Sequence, residues 1–164
     1  MKYIFFLLLT WNAYHHAHAQ QETTKIYLLR HAEKDTTIKQ DPPLTKEGVE
    51  RSERLCNLLK EVPVDKLFST NARRTKQTLL PLSISKGLAI DFYDSKDSMS
   101  VEKLYSLIKY KTTVIAGHSN TIPDLVNALI GQEVYPEMDE SEFGKIWVLT
   151  FHKMHLVDCS VLNY

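Results

Sequence analysis

Lys25-Ile26-Tyr27-Leu28-Leu29-Arg30-His31 is apolar from Ile26 to Leu29 and then stops on two nitrogen-rich side chains. Its β-branched and aromatic content predicts a short buried strand over residues 25–29. Arg30 offers a rigid fork of donors that matches phosphate oxygens. A neutral imidazole such as that of His31 can attack phosphorus. Alone, the pair fits better a surface cation beside a partly buried histidine, so the reading depends on what else lies at that strand end.

Outward from this strand the chain alternates. Thr45 is a plausible N-cap for a helix beginning at Lys46, with Val49, Cys56 and Leu59 on one face and Pro63 breaking the chain. Residues 66–69 (K-L-F-S) read as a second strand and residues 71–80 as a helix ended by Pro81. Residues 88–93 (L-A-I-D-F-Y) suggest a third strand. Ser98 or Ser100 can cap the next helix, whose apolar face is Val101, Leu104, Tyr105 and Ile108. Residues 113–116 (T-V-I-A) are a fourth strand. Pro123 sits in the first turn of a helix that Gly131 stops. Residues 145–151 and 156–162 close the chain as an antiparallel hairpin. Strands alternating with helices predict an α/β domain with a largely parallel sheet.

Ligands of such sheets bind at the carboxyl ends of the strands. That rule selects Arg30-His31, Ser69 to Arg74, and Gly117-His118-Ser119-Asn120. Arg73 and Arg74 open a helix at its positive pole, where the dipole does not favour them and a bound anion would. Gly117 permits close backbone approach, and Ser119 and Asn120 can donate hydrogen bonds. Each site has a bland explanation: a solvated basic turn, or a capping loop with an incidental histidine. Three on one sheet edge make those explanations jointly improbable.

The first nineteen residues read differently. Lys2, the uncharged run from Tyr3 to Leu9, and Ala17-His18-Ala19 describe an export signal cut after Ala19. The apolar run is far short of the roughly 20 residues that span a bilayer. Removing 19 of the 164 residues leaves a single domain, residues 20–164, and takes His15, His16 and His18 with it. The expected location is the periplasm or the exterior. Twenty basic and 20 acidic residues balance, which gives no general attraction to nucleic acid or to a membrane surface after cleavage. Cys56 and Cys159 can pair in an oxidising compartment or stay as two separately buried thiols. Oligomeric state is open.

The quoted residues resemble the histidine phosphatase superfamily, also called phosphoglycerate-mutase-like. Leu28 to Lys34 resembles its RHG or RHAEK signature. Pro43-Leu44-Thr45 with Gly48 resembles its P-L-T-x-x-G segment. Ser69-Thr70 followed by Arg74-Thr75-Lys76-Gln77-Thr78 resembles its S-T-x-x-x-R-T-x-x-T segment, and Gly117 to Pro123 its G-H-S-N-T-I-P segment. The resemblance implies a three-layer sandwich with a mostly parallel central sheet between helices. It implies a phosphatase acting on a small phosphorylated substrate, with no cofactor and no metal. His31 would carry a transient phosphoryl group. Arg30, Arg74 and His118 would hold its oxygens, assisted by Ser119 and Asn120. Arg73 competes with Arg74 on spacing, and the following T-K-Q-T favours Arg74.

One element of the family pattern is missing. Phytase-like members carry an Asp directly after the second histidine, where this chain has Ser119. Mutase-like members carry a Glu after the third strand, within a longer insertion. Glu33 and Asp94 are the candidate proton donors, with Glu140 or Glu142 weaker, and each also reads as part of a solvated acidic loop. A missing acid would favour good leaving groups, such as acyl phosphates, phosphoramidates or aryl esters. The short span from Arg74 to Thr113 predicts an open site. Tyr93, Tyr135, Phe143 and Trp147 could line its rim, with core packing the better role for Phe143 and Trp147. The competing readings are a non-catalytic phosphate- or phosphoprotein-binding module that kept the pocket, which an acid-labile phosphoenzyme would separate from an enzyme, and a phosphomutase, which the short chain disfavours.

Overall fold

The computed structural model describes residues 22–164, so the leader at residues 1–19 lies outside the described residues. Six strands form one sheet: β1 (Thr23–Arg30), β2 (Lys66–Ser69), β3 (Ile90–Phe92), β4 (Thr112–Gly117), β5 (Lys145–His152) and β6 (His155–Asn163). Four helices complete the described chain: α1 (Lys46–Leu58), α2 (Arg73–Lys86), α3 (Ser98–Ile108) and α4 (Thr121–Ile130). The strand order is β3-β2-β4-β1-β5-β6. The first four of these run parallel to one another, β5 lies antiparallel to β1, and β6 pairs antiparallel with β5.

Residues alternating along β1 feed two cores. Ile26 and Leu28 pack with Leu104, Ile108, Leu125 and Val126 of α3 and α4. Tyr27 and Leu29 pack with Leu55, Leu79 and Leu82 on the α1 and α2 side. A strand covered on both faces needs an unbroken apolar run, which is why residues 26–29 do not alternate with polar residues. The result is the expected helix–sheet–helix sandwich. No helix among the described residues is long and apolar enough to cross a membrane.

Three local expectations need correction. The helix after β2 does not end at Pro81 but runs on to Lys86, where Gly87 closes it in the left-handed conformation. A proline inside a helix costs about 3 kcal/mol. Burial of Leu82 one residue beyond it, in the same core as Leu79, opposes that cost. The cap of α3 is Asp97, whose side chain accepts from the Met99 N–H, while Ser100 instead accepts from the Asp94 N–H. On α1 the buried face is Gly48, Ser52 and Leu55, with Leu59 just beyond, whereas Val49 is exposed. Gly48 explains the rotation. A side chain there would strike the backbone of Glu33, so only glycine lets the first turn press this close.

Cys56 and Cys159 are free. They pack on opposite faces of the sheet, Cys56 beside the α1 and α2 core and Cys159 beside the α3 and α4 core. The sheet itself separates the two sulfurs.

Candidate active site

The parallel register brings the selected strand ends together. Arg30 lies level with Gly117 across β1 and β4, and the His31 N–H donates to the Gly117 carbonyl at 2.9 Å. His31 and His118 thus leave adjacent strands side by side. Their rings meet edge to face with centroids 5.6 Å apart.

Each imidazole is held in one tautomer. His31 Nδ1 lies 2.7 Å from the Ala32 carbonyl, which only accepts, so Nδ1 carries the proton and Nε2 keeps its lone pair. His118 Nδ1 lies 3.2 Å from Arg74 Nη2, which only donates. The His118 proton is therefore on Nε2 and goes to Thr70 Oγ1 at 2.9 Å. Thr70 Oγ1 in turn meets Thr75 Oγ1 at 3.1 Å. Burial, partly opposed by the Ala32 hydrogen bond and reinforced by Arg74 and Arg30, pushes His31 down to about 3. Burial and then Arg74 push His118 down to about 4. Both rings are neutral near pH 7.

The segment opening α2 organises this edge. Thr78 accepts from the Ala32 N–H at 2.9 Å, and Gln77 accepts from the Leu44 N–H at 2.9 Å. These two bonds tie the start of α2 to the segment after β1, and Thr75 ties it to Thr70 and Ala72 just past the end of β2. Arg74 is thereby aimed at His118. Arg73 stays exposed, and its backbone N–H is bound by Asp41. Of the two arginines, Arg74 faces the site.

Arg30 is buried, with a side chain only 1% exposed. Its Nη1 donates to the carbonyls of Asp139 and Glu142 at 2.7 and 2.9 Å, and the Phe143 ring covers the guanidinium at 4.3 Å. Phe143 belongs to neither core and instead stacks on Arg30, with its ring 6.3 Å from that of His31. Trp147 is core, as expected, with Tyr135 packed against it. Tyr93 is buried and its side also faces the cleft.

A cleft of about 800 Å3 opens at this edge, lined by His31, Arg74, His118, Ser119, Asn120 and Asp94 among others. It is far larger than one phosphoryl group. Arg30 Nε and Nη2 and Arg74 Nε are buried N–H groups without a hydrogen-bond acceptor among the described residues. Glu140 Oε2 comes within 3.2 Å of Arg30 Nη2 but off the line of its N–H bonds. Buried guanidinium donors without an acceptor are groups that an oxyanion can satisfy; Arg74 lines the cleft, whereas Arg30 lies behind its lining residues.

The two candidate acids part company. Glu33 is held by a bidentate bond from Arg51 and turned away from the cleft. Burial raises its pKa, but the Arg51 hydrogen bonds outweigh that and hold it below the ordinary value. It is badly placed to donate a proton. Asp94 lines the cleft. Sequence reasoning did not single out Thr70 or Lys34 as site residues, and Glu140 entered only as a weaker acid. Lys34 and Glu140 line the cleft and meet at 3.2 Å, a contact between segments more than a hundred residues apart that no local pattern announces.

The profile of the histidine phosphatase superfamily, branch 1, matches residues 26–103. Over that stretch the chain is similar to the histidine phosphatase superfamily. Solved structures share its fold. The protein histidine phosphatase SixA, complexed with tungstate, is 18% identical, with a TM-score of 0.70 over 85% of this chain and 96% of that one. A protein of Agrobacterium tumefaciens assigned as phosphohistidine phosphatase SixA is 23% identical, with a TM-score of 0.61 over 84% of this chain and 97% of that one. A mycobacterial glucosyl-3-phosphoglycerate phosphatase complexed with VO3 is 13% identical, with a TM-score of 0.67 over 85% and 99%. No curated protein matches the chain. The chain thus shares the fold of these phosphatases, with its strand ends facing one polar cleft.

Proposed function

We propose that this protein is an exported, metal-independent hydrolase of phosphomonoesters or related phosphoryl compounds, working through a phosphohistidine on His31. One observation carries the reading: His31 keeps a lone-pair nitrogen within electrostatic reach of Arg74 and Arg30, both of which hold buried donors without an acceptor. His31 Nε2 attacks phosphorus, and the bond to the leaving group breaks with its electron pair. Arg30 and Arg74 hold the phosphoryl oxygens, His118 joins them as its Nε2–H passes from Thr70 to an oxygen, and Ser119 and Asn120 lie at the same edge. Water then attacks the phosphohistidine, releases phosphate and returns His31 to its starting form. Phosphoryl transfer is mainly positioning and charge stabilisation, which two guanidinia and two imidazoles can supply.

Leaving-group chemistry follows from the carboxylates. Asp94 and Glu140 are the candidate donors at the cleft, Glu140 being held, against the effect of burial, below its ordinary pKa by Lys34, Arg30 and Ser119, and Ser119 itself occupies the position of the phytase-like acid. Good leaving groups, namely acyl phosphates, phosphoramidates and aryl esters, need no strong acid. The neighbours named as phosphohistidine phosphatases act, by those names, on such a phosphoramidate. Export, to the periplasm or beyond, rests on the leader at residues 1–19.

The test is phosphate release from a panel of alkyl, aryl and phosphoramidate substrates in EDTA, comparing wild type with His31→Ala. The expected outcome is EDTA-resistant release, faster for aryl than for alkyl esters, and abolished by the substitution. Activity lost in EDTA and restored by a divalent metal contradicts the mechanism. Equal rates on alkyl and aryl esters contradict the leaving-group argument.

A further inference from the structure

Glu140 lines the cleft and reaches Arg30. Its Oε2 lies 3.2 Å from Arg30 Nη2 and 3.2 Å from Lys34 Nζ, and its Oε1 accepts from Ser119 Oγ at 3.1 Å. One carboxylate thus touches a guanidinium, an ammonium and a hydroxyl at the cleft. The two ends of this contact differ. The Arg30 side chain is 1% exposed and that of Glu140 is 67% exposed.

The fit is also incomplete. A carboxylate placed to satisfy Arg30 permanently would take Nε and Nη2 together, since these two donors form a parallel fork. Glu140 reaches one arm off its axis and leaves Nε without an acceptor. An ion pair with one partner this exposed contributes little. The turn that carries Glu140 is anchored separately, by the Arg30 Nη1 bonds to the carbonyls of Asp139 and Glu142. The side chain can therefore leave while the turn stays.

We propose that Glu140 is a resident counter-anion of the oxyanion site: it holds Arg30, Lys34 and Ser119 together in the free protein, and an incoming phosphoryl group must displace it. This rests on the reading of Arg30 as a phosphoryl ligand. Glu140 then sets the affinity of the site. It weakens binding of substrate and product phosphate alike, and it admits only groups that outcompete a carboxylate for the Arg30 fork. Burial raises the Glu140 pKa, but Lys34, Arg30 and Ser119 together hold it below its ordinary value, so the displaced group is a carboxylate at neutral pH.

The experiment is calorimetric titration of the protein with tungstate and with inorganic phosphate at pH 7. It compares wild type, Glu140→Gln, Glu140→Ala and Glu137→Gln. Glu137 is the control, because it approaches the same Ser119 hydroxyl at 3.4 Å and forms no ion pair with Arg30 or Lys34. Both Glu140 variants should bind the oxyanions about fivefold more tightly, the scale of one exposed ion pair released. Glu137→Gln should change affinity less than about twofold, as a bystander carboxylate does. Unchanged or weaker binding in the Glu140 variants overturns the proposal. So does equal tightening in Glu137→Gln, which would mean a general charge effect, and so does a failure of every protein to bind oxyanion. Turnover is not read in this experiment. Tight oxyanion binding without hydrolysis would therefore sink the hydrolase reading and leave the role of Glu140 standing.

Discussion

At the scale of single residues the site is a problem of protonation. A nucleophilic imidazole must be neutral, and its reactive nitrogen must be bare. Burial achieves the first for His31, and the Ala32 carbonyl achieves the second by taking the other ring proton. The pH dependence follows from the sign of the shift. A histidine pushed down to about 3 stays deprotonated as pH falls through the ordinary range near 6.5, and protonates only well below it. We therefore expect kcat/KM, corrected for ionisation of the substrate, to hold steady from pH 7 to pH 5. A limb centred near pH 6.5 would show that His31 titrates as an ordinary surface histidine. His118, pushed down to about 4, adds no limb in that window.

At the scale of elements, side-chain contacts fix where each strand end points. The first turn of α1 is pinned to the chain after His31, because Thr45 donates its backbone N–H to the Glu33 carbonyl at 2.9 Å and Gly48 packs on the same residue. Gly48→Ala should therefore cost about 1–3 kcal/mol, the usual penalty for forcing atoms into a filled space. Urea denaturation measures it, and a midpoint equal to wild type would contradict the contact. The sequence was a good guide where local and tertiary forces agree. The apolar run of β1, the exact span of β2 and the Gly131 stop of α4 are such cases. It misled at Pro81, where burial of Leu82 overrides a local helix breaker, and at Val49, where close packing at Gly48 turns the helix.

At the scale of the whole molecule, the parallel sheet is what makes the site readable. Once β1, β2 and β4 lie side by side, Arg30-His31, Arg74 and His118 share one edge, and those residues stand out in the chain. What stayed hidden comes from the far end of the chain. The turn at residues 139–143 buries Arg30, stacks Phe143 on it and brings Glu140 to the cleft. No spacing within residues 26–123 signals a partner beyond residue 130. The separation of Cys56 from Cys159 has the same origin, since only the order and faces of the strands put a sheet between them.

The proposed reaction transfers phosphorus to His31 through Nε2. Rapid quenching during turnover of a phosphoramidate or aryl phosphate, followed by 31P NMR of the denatured protein, tests it most directly. The account predicts an acid-labile, alkali-stable phosphoryl group on Nε2 of His31, absent from His31→Ala. An acid-stable adduct, a phosphoryl group on Nδ1, or active turnover in His31→Ala would contradict it.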